Sequence, residues 1–188
     1  MTRGLQTGHQ PGADNMDNTQ QDKLQELLDI KACEDLVARY GRTQDWLDTP
    51  GQDSCFWPDA EIDFGFFKGN GADWVKTVMP HEEEAIRRWH MCTSVIIRVE
   101  GDRAKGECYG IAVGTNEDAE GNLVDNMYGG RYLDEFEKRA GEWRISKRTY
   151  ILDWSHSFPN SIEAMTPEDF ALNILQIRQS GHPMYRPL

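Results

Sequence analysis

Apolar residues along this chain recur first at a helical and then at a strand period. Leu24, Leu27 and Leu28, followed by Cys33, Leu36, Val37, Tyr40 and Gln44, return at three- and four-residue steps. That spacing predicts an amphipathic helix starting near Thr19 or Gln20 and stopped by Pro50-Gly51. Ser54 to Gly69 reads as an apolar helix end, a Pro58-Asp59 turn and two short strands kinked at Gly65, with Phe64, Phe66 and Phe67 supplying aromatic bulk. A helical segment through Ala72 to Lys76 is expected to end near Pro80. The acidic run Glu82-Glu83-Glu84 then reads as a solvated face, because Ala85 breaks any H-E-x-x-H zinc pattern begun by His81-Glu82.

From Thr93 to Val99 the chain is β-branched and apolar, and it closes on the turn Glu100-Gly101-Asp102, so a strand is predicted with His90 at its entrance. Period-two alternation places His90, Cys92, Ser94 and Ile96 on one face. The next strand alternates Ala104, Gly106, Cys108, Gly110, Ala112 and Gly114 with larger residues, so one of its faces permits close packing and suits a strongly bent sheet. Met127 to Glu137 and Trp143 to Trp154 complete a meander through the turn Lys138-Arg139-Ala140-Gly141. Ile97, Val99, Tyr109, Ile111, Val113 and Tyr132 are assigned to the outer sheet face, where a second copy of the chain would cover them. Thr166-Pro167-Glu168-Asp169 caps a short C-terminal helix that is placed over a pocket.

Helices first and an antiparallel meander afterwards describe an α+β plan. Residues 1–18, rich in Thr, Gln, Asn, Asp and Gly, read as a flexible tail, and residues 19–188 as a single domain. The formal charge of −12, from 32 acids and 20 bases, argues against a nucleic-acid partner. The four cysteines are dispersed without a C-x-x-C pair, as expected of free thiols in a reducing cytoplasm; no metal site is expected. No apolar run reaches the length of a membrane span, and no dinucleotide fingerprint is present, so neither membrane nor cofactor is expected.

The candidate chemistry centres on His90. An imidazole titrates near pH 6.5, at about the unperturbed value, and becomes a useful general base when a carboxylate orients its other nitrogen. Without such a partner it is an ordinary structural histidine. Asp45 lies at the edge of the buried helix face, where it either looks across the end of a cavity or is solvated. Tyr40, Tyr128, Arg131, Arg148 and Tyr150 are available donors, although Arg131 and Arg148 could equally pair with Glu107, Glu135 or Asp153 across the sheet. Phe64, Trp89 and Trp154 are candidate aromatic walls for a flat apolar ligand, and each would also suit a core.

Tyr40-Gly41-Arg42-Thr43-Gln44-Asp45, Phe56-Trp57-Pro58-Asp59-Ala60, His90-Met91-Cys92-Thr93-Ser94, Gly129-Gly130-Arg131-Tyr132 and Gly141-Glu142-Trp143-Arg144-Ile145, in that order, carry a resemblance. Together they resemble the SnoaL-like superfamily with its nuclear-transport-factor-two-like cone fold. The likeness spans about residues 20 to 156 and leans toward the subgroup of lindane dehydrochlorinase, bile-acid dehydratase and scytalone dehydratase. It implies a cone-shaped, strongly bent mixed or antiparallel sheet packed on N-terminal helices and enclosing a pocket. It also implies a cofactor-independent lyase, commonly a homotrimer, acting on a small hydrophobic molecule. His90 would be the base and Asp45 its orienting carboxylate, with Tyr40 and Arg148 assisting; Phe64, Trp89, Tyr128, Arg131, Tyr150 and Trp154 are the substrate-contact candidates. Phe64 stands where the dehydratases carry a tyrosine, which counts against hydroxyl assistance there. The same superfamily also holds isomerases of ring ketones, non-catalytic association modules and oxygenase small subunits.

Overall fold

In the computed structural model, which describes residues 17–162 and 175–188, the long helical period becomes α1 (Asn18–Asp45). Its N-cap is Asp17, whose side chain accepts from the Gln20 N–H at 2.8 Å. Asp17 and Asn18 are therefore part of the helix start rather than of a tail, and residues 1–16 lie outside the described residues. The helix ends before Pro50-Gly51. Leu47 turns the chain with a positive φ of 54°, and Asp48 then caps a short helix α2 (Thr49–Asp53) by accepting from the Gly51 N–H. The expected stop is a start, because proline in a first helical turn lacks only an N–H that the helix would leave unused.

The remaining elements are β1 (Phe56–Asp63), β2 (Lys68–Asn70), α3 (Gly71–Glu84), β3 (Arg87–Glu100), β4 (Arg103–Glu117), β5 (Leu123–Arg139) and β6 (Glu142–Pro159). They form one six-stranded sheet in the order β2-β1-β6-β5-β4-β3, antiparallel throughout except that β1 runs parallel to β6. This is an α+β architecture with helices packed on a mixed, unclosed sheet. Pro58 and Asp59 lie inside β1 rather than in a turn. The β1–β6 register shifts between Phe56 and Glu61, and such an irregularity tolerates a residue without an N–H. β3 begins at Arg87, so His90 sits within a strand, and α3 runs through Pro80 to Glu84. Lys138 and Arg139 belong to β5, which leaves the two-residue turn Ala140-Gly141 with φ of 52° and 85°, a hairpin geometry matched to strand twist.

Strand pairing fixes which residues share a face. His90 pairs with Ala112, which pairs with Tyr128; Cys92, Gly110 and Gly130 form the next row, and Cys108, Tyr132 and Tyr150 the one after. Cys108 and Tyr132 belong to the core, so this row marks the inner face. Small residues at 110 and 112 keep the face open: a Cβ on Gly110 would meet the Tyr132 ring at 2.4 Å. Beyond Cys92 the alternation breaks. Ser94 takes φ 52° and the β3–β4 register shifts between Thr93 and Ile96. The bulge reverses parity, so Ile97 is 4% exposed in the core and Ile96 is 59% exposed, opposite to the expected assignment. Val99 likewise packs against the core, and Tyr132 is an inner-face residue, not an outer one. Tyr109 does remain exposed.

α1 lies across β3 with Cys33, Leu36, Val37 and Tyr40 buried. Phe64 stacks on Trp74 at 4.0 Å and on Tyr150 at 5.3 Å between ring centroids. The helix expected from Thr166 to Ile174 falls outside the described residues.

Candidate active site

The last residue of α1 and the fourth of β3 meet. His90 Nδ1 and Asp45 Oδ1 are 2.8 Å apart, and Asp45 Oδ2 accepts from the His90 backbone N–H at 3.2 Å. β3 is an edge strand, and this N–H has no strand on its outer side; the aspartate at the helix end supplies the missing acceptor. A carboxylate offers only acceptors, so Nδ1 carries the proton and Nε2 is left with its lone pair. Gly41, one turn before Asp45, permits the approach: its Cβ would stand 3.2 Å from the His90 Cβ. The His90 side chain is 8% exposed and that of Asp45 19%.

The opposite side of the imidazole faces a second carboxylate. Glu82 Oε1 lies 3.7 Å from Nε2, within Coulombic reach but beyond a hydrogen bond. Glu82 was expected on a solvated face; its side chain is only 14% exposed, whereas Glu83 and Glu84 are exposed. It continues the buried phase of α3, three residues after Met79 and four after Val78, and that periodicity was the signal available for it. Arg88 holds this end of α3 by donating to the carbonyls of Glu82 and Ala85, and it ties in the C-terminal segment through Ile177 O at 3.0 Å. Burial alone would push the His90 imidazole down, but the Asp45 hydrogen bond and the negative charges of Glu82 and Asp45 outweigh it and hold the pKa above the ordinary value.

A cavity of about 360 Å³ runs along the seam of α1 and β3, bordered by Gly41, Arg42, Asp45, Trp46, Trp89 and His90 among others. Trp89 is 53% exposed there. Tyr128 shares the inner row of His90 and is 44% exposed. Tyr40 and Arg148 are brought to the inner side but lie deeper. Arg148 is fully buried, donating through Nε and Nη2 to the two oxygens of Asp134 at 2.8 and 2.7 Å, and its guanidinium sits 4.0 Å from the centroid of the Tyr40 ring. Its partner is thus Asp134, not Glu107, Glu135 or Asp153. Burial raises the Tyr40 phenol pKa, so this group is a proton donor and not a base near neutrality. Phe64 and Tyr150 form the aromatic stack of the core. Arg131 and Trp154 are not brought to the dyad: they occupy the outer face, Arg131 paired with Asp153 at 2.9 Å and Trp154 lying over Gly129, whose Cβ it would meet at 2.1 Å. Among the described residues no group of three or more metal-ligating side chains comes together, and no helix is long and apolar enough to cross a membrane.

No curated protein matches the chain. Among solved structures, one assigned provisionally as a scytalone dehydratase from Novosphingobium aromaticivorans superposes with a TM-score of 0.63 at 18% identity, covering 85% of this chain and 98% of that one. A type-3 hexachlorocyclohexane dehydrochlorinase from Novosphingobium barchaimii gives 0.61 at 21% identity, over 72% and 94% of the two chains. A protein of unknown function from Mycobacterium tuberculosis gives 0.58 at 26% identity, over 70% and 75%. These likenesses establish the cone-type fold that dehydratases and dehydrochlorinases share. The family model for the SnoaL-like domain matches residues 25–149, two-thirds of the sequence. The chain belongs to the SnoaL-like domain family.

Proposed function

We propose that the chain is a cofactor-independent lyase that eliminates water, halide or formaldehyde from a hydrophobic aromatic, diaryl or polycyclic small molecule. The observation that carries this reading is the 2.8 Å contact of His90 Nδ1 with Asp45, which leaves Nε2 as the basic atom of a histidine that borders a cavity. In the elimination Nε2 takes a proton from carbon, the C–H electrons form the new double bond, and the leaving group departs with its bonding pair. Where the leaving group is hydroxide, the imidazolium returns the proton and water leaves. Where formaldehyde is released, Nε2 takes the proton of the hydroxymethyl O–H, the oxygen's electrons form the C=O of formaldehyde, and the pair of the broken C–C bond forms the new double bond as a hydroxide or halide on the adjacent carbon departs. Asp45 fixes the tautomer and stabilises the imidazolium as it forms. General-base catalysis of this kind contributes ~10²–10⁴-fold, and positioning in the cavity supplies the rest.

Tyr40 and Arg148 assist from below, the phenol as a donor and the guanidinium by its field; Tyr128 and Trp89 border the substrate. Screening hydroxylated and halogenated polycyclic and diaryl compounds for product formation without added cofactor tests the activity. Conversion at an undiminished rate by His90→Ala would refute the role of the dyad. The outer face, with Ile96, Tyr109, Leu133, Ile151 and Trp154 each more than a third exposed, supports assembly into a homotrimer. Sedimentation as a monomer at micromolar concentration would contradict the trimer.

A further inference from the structure

A second cavity, of about 420 Å³, lies beyond Asp45, Trp46 and Trp89, which border both spaces; its other walls include Arg87, Val113 and Thr115. Arg87 differs from its neighbour Arg88 and from the buried Arg148. Arg88 donates to three backbone carbonyls and Arg148 is bonded to Asp134 through two nitrogens. Arg87 has Nε and Nη1 buried without a hydrogen-bond partner, and among the described residues it forms no salt bridge. Arg87 is half-buried, and its two covered nitrogens lose water without gaining a partner, which is costly; the planar fork of a guanidinium matches a carboxylate in two-point contact. Asp125 borders the same cavity but is already engaged: Oδ1 accepts from Thr115 Oγ1 at 2.6 Å, and both oxygens accept from Asn160 Nδ2 at 2.9 and 3.0 Å. The charge on Asp125 also penalises every further negative charge, which favours a monoanion over a phosphate dianion. Of the remaining walls, Arg88 and Asp45 are already engaged, Arg88 on backbone carbonyls and Asp45 on His90, while Trp46, Trp89, Val113, Leu175 and Ile177 are flat or apolar.

We propose that this cavity binds the carboxylate of a flat apolar acid, with Arg87 as the anchor. Because Asp45, Trp46 and Trp89 are common to both cavities, an acid held at Arg87 extends its apolar body toward His90. The connection to turnover rests on the proposed role of the dyad; the binding itself does not.

Benzoate and its uncharged isostere benzamide distinguish these possibilities on the full-length protein, read by tryptophan fluorescence, for which Trp46 and Trp89 are local reporters, and by thermal midpoint. Wild type should bind benzoate at least about tenfold more tightly than benzamide, the size of one charge-assisted contact. Arg87→Met should remove that preference and leave benzamide affinity unchanged, and Arg87→Lys should retain part of it. His90→Ala should keep the preference for benzoate over benzamide, because that preference is set at Arg87. Equal affinities for the two compounds in wild type, or unchanged benzoate affinity in Arg87→Met, would overturn the site. The wild-type comparison decides the matter if Arg87→Met does not fold. Turnover surviving in His90→Ala would overturn the dyad and leave the acid site standing.

Discussion

Two pairs of oppositely charged groups sit on the inner side of the sheet, and they differ in what closes over them. Arg148 and Asp134 face each other across β6 and β5 in a two-point contact, both almost wholly buried, with the rings of Tyr40 and Tyr132 over the guanidinium at 4.0 and 4.4 Å. His90 and Asp45 bridge a strand edge and a helix end, and they border an open cavity. In the first pair the contact is sealed by aromatic surface, so its charges hold the sheet together from within. In the second, one imidazole nitrogen is hydrogen-bonded and the other is not. Burial of charge alone does not mark a functional site; a buried titratable residue that borders a cavity and keeps one atom unengaged is the better candidate.

The largest effect should come from breaking the sealed pair. Asp134→Ala leaves the buried Arg148 guanidinium uncompensated, a change that costs ~3–5 kcal/mol. Chemical denaturation should show it as a large drop in midpoint, and an unchanged midpoint would mean the pair is not the internal brace described. His90→Ala should behave in the opposite way. Turnover should fall by ~10²–10⁴-fold or more, while the denaturation midpoint moves less than in Asp134→Ala. A variant set in which both substitutions mainly unfold the protein would erase the distinction.

The contrast between inner and outer faces can be sharpened without any charge. Ile97→Ala empties a core position and should cost ~2–5 kcal/mol, whereas Ile96→Ala, on the exposed side of the bulge, should stay within about 0.5 kcal/mol in the monomer. Equal costs, measured by denaturant unfolding, would show that parity does not reverse at Ser94.

That reversal also explains which parts of the molecule the amino-acid order made legible. The dyad was legible because both partners lie on regular periods, Asp45 at the edge of an apolar helix face and His90 on an alternating strand before any irregularity. Ile97 and Val99 were misplaced because alternation counted along a strand cannot register a bulge, which arises from pairing with β4 and from a positive φ at Ser94; Tyr132 was misplaced because its face is set by the register Cys108↔Tyr132 between β4 and β5. The same holds for Pro58, which reads as a turn by local chemistry but lies in β1 at a register shift created by the parallel partner β6. The partner of Arg148 could not be read either: Glu107, Glu135 and Asp153 were all plausible, and only the register Asp134↔Arg148 selects one. Glu82 was hidden by its neighbours, since a run of three acids conceals the one that follows the apolar phase of α3.

Glu82 therefore offers the smallest and most specific test of the open pair. The imidazole is faced by Asp45 from α1, by Glu82 from α3 and by Cys92 from its own strand, with Arg88 Nε standing 3.9 Å from the other Glu82 oxygen. Burial depresses the His90 pKa, and the Asp45 contact together with the two carboxylate charges raises it above its ordinary value. A base must be neutral to accept a proton, so a raised pKa moves the acidic limb of the kcat/KM profile to higher pH. Glu82→Gln removes one of the charges that raise it and keeps the shape. The acidic limb should then shift to lower pH, and more of the protein should be in the basic form at neutrality. Stability should change with the opposite emphasis: the contribution of the raised His90 pKa is fully present below its unfolded value and is lost as pH rises through its folded value, so Glu82→Gln should weaken the protein most on the acidic side. A proton-resonance titration of His90 in both proteins measures the shift directly. An unmoved titration would mean that Glu82 is screened from the imidazole, and the dyad would then rest on Asp45 alone.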